Sequence, residues 1–456
     1  MPSSRDTIAA VATPLGEGGL AVLRVSGPAA VEVGDAVFVP AGSRSQRPSE
    51  AASHTVHYGH VVRSGTRLDE VLLTVLRAPR TYTREDTVEI SCHGGIVVAR
   101  QVLEAILAAG ARPALPGEFT QRAFVNGRLD LAQAEAVADL IHARTVLAAA
   151  AAQAQLAGSL SARVHAIRDA LMQVLAHIEA QLDFPEEDIS PDTGARLQLR
   201  LEEAATALAA LRRTAGDGQV LRRGIRAAIV GRPNAGKSSL LNRLLGHERA
   251  IVSPEAGTTR DTVEETASVR GIPVVFIDTA GLRDAAGDVE REGVRRSEAA
   301  AAAAELILHV MDGSVPMDPA DEQLLGRWKG RTVVAVVNKA DLPRRLLMPP
   351  GHREVAVSCA TSEGLEELRG TIESLVWSGR APGEALPVTV NARQDDALRR
   401  AAEALERSRT SLHVGESPEF AALELRAAAG AVGEIVGATS TEDLLDVIFR
   451  QFCLGK

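Results

Sequence analysis

Hydrophobic positions recur along the chain in three textures, each predicting a different kind of layer. From residue 1 to about 118, short runs rich in Val and Ile predict strands at Ile8–Thr13, Leu20–Val25, Val71–Leu76 and Thr87–Ser91. Gly16, Gly18 and Gly19 predict a loop between the first two strands, and Ile96–Ala109 reads as a helix closed by Gly110. This is an α+β pattern. From about residue 120 the texture becomes helical. Leu129–Leu182 is dominated by Ala, Leu, Gln, Glu and Arg, all good helix formers, and Asp183-Phe184-Pro185 ends the run. A second helix is expected from about Arg196 to Arg213, and Thr214-Ala215-Gly216-Asp217-Gly218 then reads as a hinge.

Between 225 and 378 strands and helices alternate, the pattern of a mainly parallel sheet covered on both faces. Strands are expected at Arg226–Val230, Val274–Ile277, Leu306–Met311, Thr332–Val337 and Glu354–Val357, with an edge strand near Val263–Val269. Beyond Pro382 and Pro387 the helical texture returns. Each helical piece is amphipathic and needs a partner for its apolar face; the simplest partner is the other piece. The expected organisation is therefore multidomain α/β. An N-terminal α+β domain (1–118) precedes an all-α helical domain in two parts (119–220 and 379–456), and a doubly wound Ras-like G domain (221–378) is inserted into the latter. No internal repeat stands out.

A length of 456 residues suits about three domains. With 45% apolar and 24% charged residues, a soluble globular protein is expected. No run of about 18 apolar residues is present, so no membrane span is expected. The N-terminus lacks the basic start and apolar stretch of a signal peptide, and the final Lys456 suits prenylation poorly. The three cysteines, Cys92, Cys359 and Cys453, have no metal-ligand spacing and imply no disulfide framework, so a reducing cytoplasm is expected. A formal net charge of −9 restricts nucleic-acid binding to a local basic surface.

The chemistry sits in four motifs. Gly231-Arg-Pro-Asn-Ala-Gly236-Lys237-Ser238, between an expected strand and an expected helix from Ser238 to Leu245, has the pattern of a phosphate-binding loop. In such a loop backbone N–H groups of Asn234, Ala235, Gly236 and the helix start, Ser238 and Ser239, cradle phosphates. Lys237 neutralises the outer oxygens, and the Ser238 hydroxyl is a magnesium ligand. Asp278-Thr279-Ala280-Gly281 ends an apolar strand about 40 residues later: Asp278 can hold magnesium through water and the Gly281 N–H can meet the γ-phosphate. Asn338-Lys339-Ala340-Asp341 follows another strand. Asp341 can accept two bonds from the guanine N–H edge, and adenine would leave that carboxylate unpaired. Ser358-Cys359-Ala360 ends the last strand and can offer a backbone N–H to the guanine carbonyl, with Cys359 packing beside the base in preference to any thiol chemistry. Gly257-Thr258-Thr259-Arg260-Asp261 suits a mobile loop that completes the magnesium shell. Four motifs in this order predict a guanine-nucleotide-binding GTPase. The glutamine that orients water in many small GTPases is replaced by Leu282, and no arginine finger is evident; Asn234 and the Gly257–Asp261 loop are candidates to hold a cation, and Glu290 is a nearby acid.

The string Gly231–Ser239 with Ile251–Asp261 resembles the TrmE-Era-EngA group of bacterial GTPases. The ending Phe452-Cys453-Leu454-Gly455-Lys456 resembles the Phe-Cys-Ile-Gly-Lys ending of the tRNA modification GTPase family MnmE (TrmE). Asp6-Thr-Ile-Ala, Pro116-Gly-Glu-Phe119 and Asn126–Glu135 are similar to that family too, so the resemblance covers essentially the whole chain. It implies an N-terminal folate-binding domain that dimerises, a helical domain and an inserted G domain. It further implies joint action with the FAD-carrying flavoprotein MnmG (GidA) to place a carboxymethylaminomethyl or aminomethyl group on carbon 5 of the wobble uridine of certain tRNAs. A tetrahydrofolate derivative, 5-formyl or 5,10-methylene, supplies the one-carbon unit, and K+ and Mg2+ serve hydrolysis. Residue by residue, it makes Asn234 a side-chain potassium ligand, with Ser253, Glu255 and Thr258 offering backbone oxygens; a fixed cation there can replace an arginine finger. It places Thr259 beside Ser238 on magnesium, and Glu290 as the water-orienting acid. Arg24, Glu89, Arg128 and Lys456 match the folate site; at 128 the family often has lysine, so arginine keeps the charge and changes the geometry. Leu454 stands where the family has isoleucine. Cys453 matches the cysteine proposed as catalytic, against a tail cysteine without chemistry. His93 either touches folate or stabilises a turn. The acidic run Glu186-Glu187-Asp188 reads as a solvated loop rather than a metal site.

Two rival readings make different demands on the chain. A ribosome-assembly GTPase predicts an RNA-binding module or a second G domain, and neither is evident. A folate-dependent one-carbon transferase with a regulatory G domain would rest on residues 1 to about 118.

Overall fold

The computed structural model describes residues 6–183, 192–247, 264–277, 299–377, 388–414, 417–439 and 442–456. The elements run β1 (Ile8–Val11), β2 (Leu20–Ser26), α1 (Ala30–Val37), β3 (Phe38–Pro40), β4 (Thr55–Arg63), β5 (Thr66–Leu76), β6 (Thr87–His93), α2 (Ile96–Ala108), β7 (Arg112–Pro113), α3 (Glu118–Val125), α4 (Leu131–His142), α5 (Val146–Leu156), α6 (Ser159–Asp183), α7 (Asp192–Arg212), α8 (Ala215–Arg223), β8 (Ile225–Val230), α9 (Lys237–His247), β9 (Glu265–Val269), β10 (Ile272–Phe276), β11 (Leu306–Asp312), α10 (Pro319–Arg327), β12 (Val333–Asn338), β13 (Glu354–Ala356), α11 (Leu365–Val376), α12 (Ala392–Val414), α13 (Pro418–Val436) and α14 (Glu442–Phe449). Contacts divide the chain into two units. One holds the residues up to Ala138 together with Gly430–Lys456; the other holds Asp139–Ala429.

In the first unit seven strands form one sheet in the order β3-β4-β5-β6-β2-β1-β7, antiparallel except for the parallel β1–β7 pair. Alternation along β2 and β6 turns Leu23, Val25, Val88, Ile90 and Cys92 inward, where they pack with Val102 and Ile106 of α2 and Val33 and Val37 of α1. The sequence pattern missed β3 and β4 for a physical reason. Along β4 the buried positions are His57, Gly59 and Val61, while Val56 and Tyr58 face outward. His57 is satisfied by the Gln46 N–H at 3.1 Å and by Thr55 Oγ1 at 2.8 Å, so a polar residue occupies a core position.

In the second unit the sheet order is β13-β12-β11-β8-β10-β9, parallel apart from the antiparallel β9–β10 edge. This is the doubly wound Ras-like G domain. The order reverses at β8, and ligand loops in such sheets collect at the carboxyl ends beside that reversal. Helices α6, α7 and α12 pack together, so segments before and after the G domain are mutual partners. The run Leu129–Leu182 is not one helix. Thr145 caps a new start by accepting from the Ala148 N–H at 3.2 Å, and Gly158, at φ +94°, separates α5 from α6. The expected hinge at Thr214–Gly218 is also corrected: Ala215–Arg223 is helical. Gly218 is there for closeness, since a Cβ on it would lie 2.5 Å from the Val390 carbonyl oxygen.

Candidate functional site

The glycine-rich loop leaves β8 and enters α9 where the topology predicts a ligand. Its centre is tied to the far motif by one buried side chain. Asn338, at the end of β12, donates from Nδ2 to the Ala235 carbonyl at 2.9 Å and accepts on Oδ1 from the Cys359 N–H at 3.2 Å. Gly236 lies against that amide: a Cβ there would stand 2.0 Å from Asn338 Nδ2, so only glycine fits. One asparagine thus holds the loop and the last-strand motif in register.

The remaining groups arrange themselves around this joint. Lys237 Nζ donates to the Arg232 carbonyl at 2.8 Å, inside the loop. Burial lowers the Lys237 pKa, opposed by the charge of Asp321. Ser358 Oγ donates to Asp341 Oδ1 at 2.6 Å, which orients an otherwise exposed carboxylate. Lys339 pairs with Asp312 at 2.5 Å. Burial works against the Asp312 carboxylate, yet the bonds from Lys339 and Ser314 outweigh it and keep its pKa below the usual range. Arg243, on α9, donates to the carbonyls of Cys359 at 2.8 Å and Ala360 at 3.1 Å. Burial pushes the Cys359 thiol upward, as suits packing rather than nucleophilic chemistry. Asn234 stands exposed at φ +61°, Ser239 is exposed and Ser238 half-buried. Ser253, Glu255, Thr258, Thr259, Asp278, Thr279, Ala280, Gly281 and Glu290, like the acidic run Glu186–Asp188, lie outside the described residues.

The first unit brings four other predicted residues together. Arg24 and Glu89 are register partners across β2 and β6 and pair at 2.8 Å. Arg24 Nη1 also donates to the Gly455 carbonyl at 3.5 Å. The tail is anchored by Phe452, buried against Phe449 with ring centroids 5.5 Å apart, an aromatic burial that stabilises by roughly 1.5–3 kcal/mol. That anchor carries Lys456 back to Arg24, while Cys453 stays exposed. Sequence reasoning missed the residue around which these groups meet. The Tyr82 ring lies 5.5 Å from the Arg24 guanidinium carbon, 4.8 Å from that of Arg128 and 5.9 Å from Lys456 Nζ. The sequence carries one faint signal: Tyr82 is one of only two tyrosines. His93 instead pairs through Nδ1 with Asp69 at 2.8 Å, and that bond raises the imidazole pKa.

A model of the MnmE helical domain matches residues 131–453, and one of the GTP-binding protein TrmE N-terminus matches residues 7–128. The chain belongs to the MnmE family of tRNA modification GTPases. Full-length relatives agree. The tRNA modification GTPase MnmE of Chloroflexus aurantiacus is 49% identical over 99% of this chain and 100% of its own. Those of Roseiflexus sp. (strain RS-1) and Geobacillus kaustophilus are 46% and 44% identical, each over 99% of both chains. Among solved structures, the G domain of the T. maritima FeoB iron transporter is 23% identical over 34% of this chain and 98% of its own, with a TM-score of 0.25. Among the described residues no helix is long and apolar enough to cross a membrane.

Proposed function

We propose that this MnmE-family chain is a potassium-activated, magnesium-dependent GTPase. It acts with a flavoprotein of the MnmG kind to add a carboxymethylaminomethyl or aminomethyl group to carbon 5 of the wobble uridine of tRNA. The observation carrying the reading is the Asn338 joint, which couples a phosphate-loop backbone to a base-recognition motif in one rigid piece. In this reading Asp341, held by Ser358, accepts the guanine N–H edge, and the Cys359–Ala360 backbone faces the guanine carbonyl. Lys237 exchanges its bond to the Arg232 carbonyl for the outer phosphate oxygens. Ser238 and Thr259 would hold magnesium, with Asp278 supporting it, and Asn234 with the backbone of Ser253, Glu255 and Thr258 would hold potassium; the ions would supply charge to the phosphates. Water oriented by Glu290 attacks the γ-phosphorus; the bond to the β–γ bridging oxygen breaks, giving GDP and phosphate.

The cation cluster of the first unit suits a carboxylate-bearing ligand, and Arg24, Glu89, Arg128 and Lys456 would hold a tetrahydrofolate. When bound, that group supplies a one-carbon unit. The exposed Cys453 thiol, three residues from Lys456, is the candidate nucleophile. A cytoplasmic homodimer completes the reading.

Mass spectrometry of tRNA nucleosides from cells lacking the gene tests it. The expected result is loss of aminomethyl-type groups at wobble uridine carbon 5, restored by the intact gene. Unchanged modification would reject the tRNA reading and leave a GTPase of another role.

A further inference from the structure

Three cationic side chains close on one aromatic ring. Arg24, Arg128 and Lys456 come within 6 Å of Tyr82, from strand β2, the turn after α3 and the C-terminal tail. Like charges so close repel, and partial burial strengthens the repulsion. One carboxylate answers them: Glu89, paired with Arg24. Among the described residues neither Arg128 nor Lys456 has an ion-pair partner. The ring face adds an attraction common to all three, because an aromatic quadrupole draws cations to its face.

Tyr82 itself is well fixed. Its hydroxyl lies 2.9 Å from Thr120 Oγ1 on α3, and its carbonyl accepts from Arg128 Nη1 at 2.8 Å. Burial raises its pKa, so the phenol stays neutral. The ring packs against the cluster of Ile8, Ala10, Ala114 and Phe119, and Arg24 sits 5.7 Å from the Phe119 ring as well. The arrangement is a neutral post with three cationic ends gathered around it, and only one of their charges is met by a carboxylate among the described residues.

We propose that Tyr82 is the positioning residue of this site, gathering Arg24, Arg128 and Lys456 into one cluster that receives the paired carboxylates of the ligand's glutamate end. The inference rests on the folate reading above and adds to it a residue and an orientation. Without the ring, Arg128 keeps its bond to the Tyr82 carbonyl and Arg24 its pair with Glu89, but Lys456 loses its aromatic contact and the three cations lose the shared face that sets their spacing. Discrimination then falls more than charge attraction does, because two carboxylates need two cations at a set spacing.

The test measures binding of 5-formyltetrahydrofolate and of its analogue lacking the glutamate to the full chain, by calorimetry, in wild type, Tyr82→Phe and Tyr82→Leu. Wild type should favour the glutamate-bearing compound. Tyr82→Phe keeps the ring and loses only the bond to Thr120, so it should keep that preference. Tyr82→Leu should bind the glutamate-bearing compound about tenfold or more weakly, from loss of three cation–ring contacts, while the analogue changes little. Equal binding by Tyr82→Leu and wild type would overturn the proposal and leave the folate reading standing. Equal loss for both compounds would also overturn it, by showing a general collapse of the site. Absence of binding by wild type would instead remove the folate reading, and this proposal with it.

Discussion

At the residue scale, Asn338 shows how little of a side chain's work its motif reveals. The motif marks it as part of guanine recognition; the structure adds that it is 3% exposed and bonded to both Ala235 and Cys359. Asn338→Ala should leave the Ala235 carbonyl unanswered and cost about 1–3 kcal/mol in the nucleotide-free chain. It should also weaken GDP and GTP binding together, since the loop and the base motif lose register. Thermal unfolding and fluorescent-nucleotide titration check this; an effect on stability without one on affinity would confine Asn338 to packing. Arg24, Glu89, Arg128 and Lys456, which the structure brings together, stood out in the sequence because each carries a charge within a recognisable string. Tyr82 did not, because a ring attracts cations only once three distant segments have been folded around it.

At the scale of elements, the strands of the G domain follow from runs of Val, Ile and Leu, and Glu265–Val269 is the expected edge strand. Helix ends were harder to read. Propensity alone runs Leu129–Leu182 together, whereas caps and a left-handed glycine divide it. The Gly216–Gly218 stretch misleads in the opposite sense: glycines there suggest a break, yet α8 runs through them. The reason is tertiary, because α8 passes so close to Val390 that a Cβ at 218 has no room. Gly218→Ala would stabilise an isolated helix by about 1 kcal/mol. In this chain the sign should reverse, with a lower midpoint of thermal unfolding; a raised midpoint would mean that Val390 yields at little cost.

At the scale of the whole molecule, the proposed function has a cation held by Asn234 supply transition-state charge where Leu282 stands in place of the glutamine of many small GTPases. Asn234→Ala should abolish the stimulation of GTP hydrolysis by potassium over sodium while sparing GDP binding. Steady-state rates in matched potassium and sodium chloride decide it, and unchanged stimulation would reject Asn234 as a ligand. The sequence by itself determined the class of each domain, the order of the nucleotide motifs and the family, because these depend on local periodicity and on residue types at short spacing. Only the tertiary structure decided that Asn338 bridges two motifs about a hundred residues apart in the chain, that Gly218 belongs inside a helix, and that Lys456 returns to Arg24 beside Tyr82. Those outcomes depend on close approach and on charge brought together through space, and neither has a period along the chain.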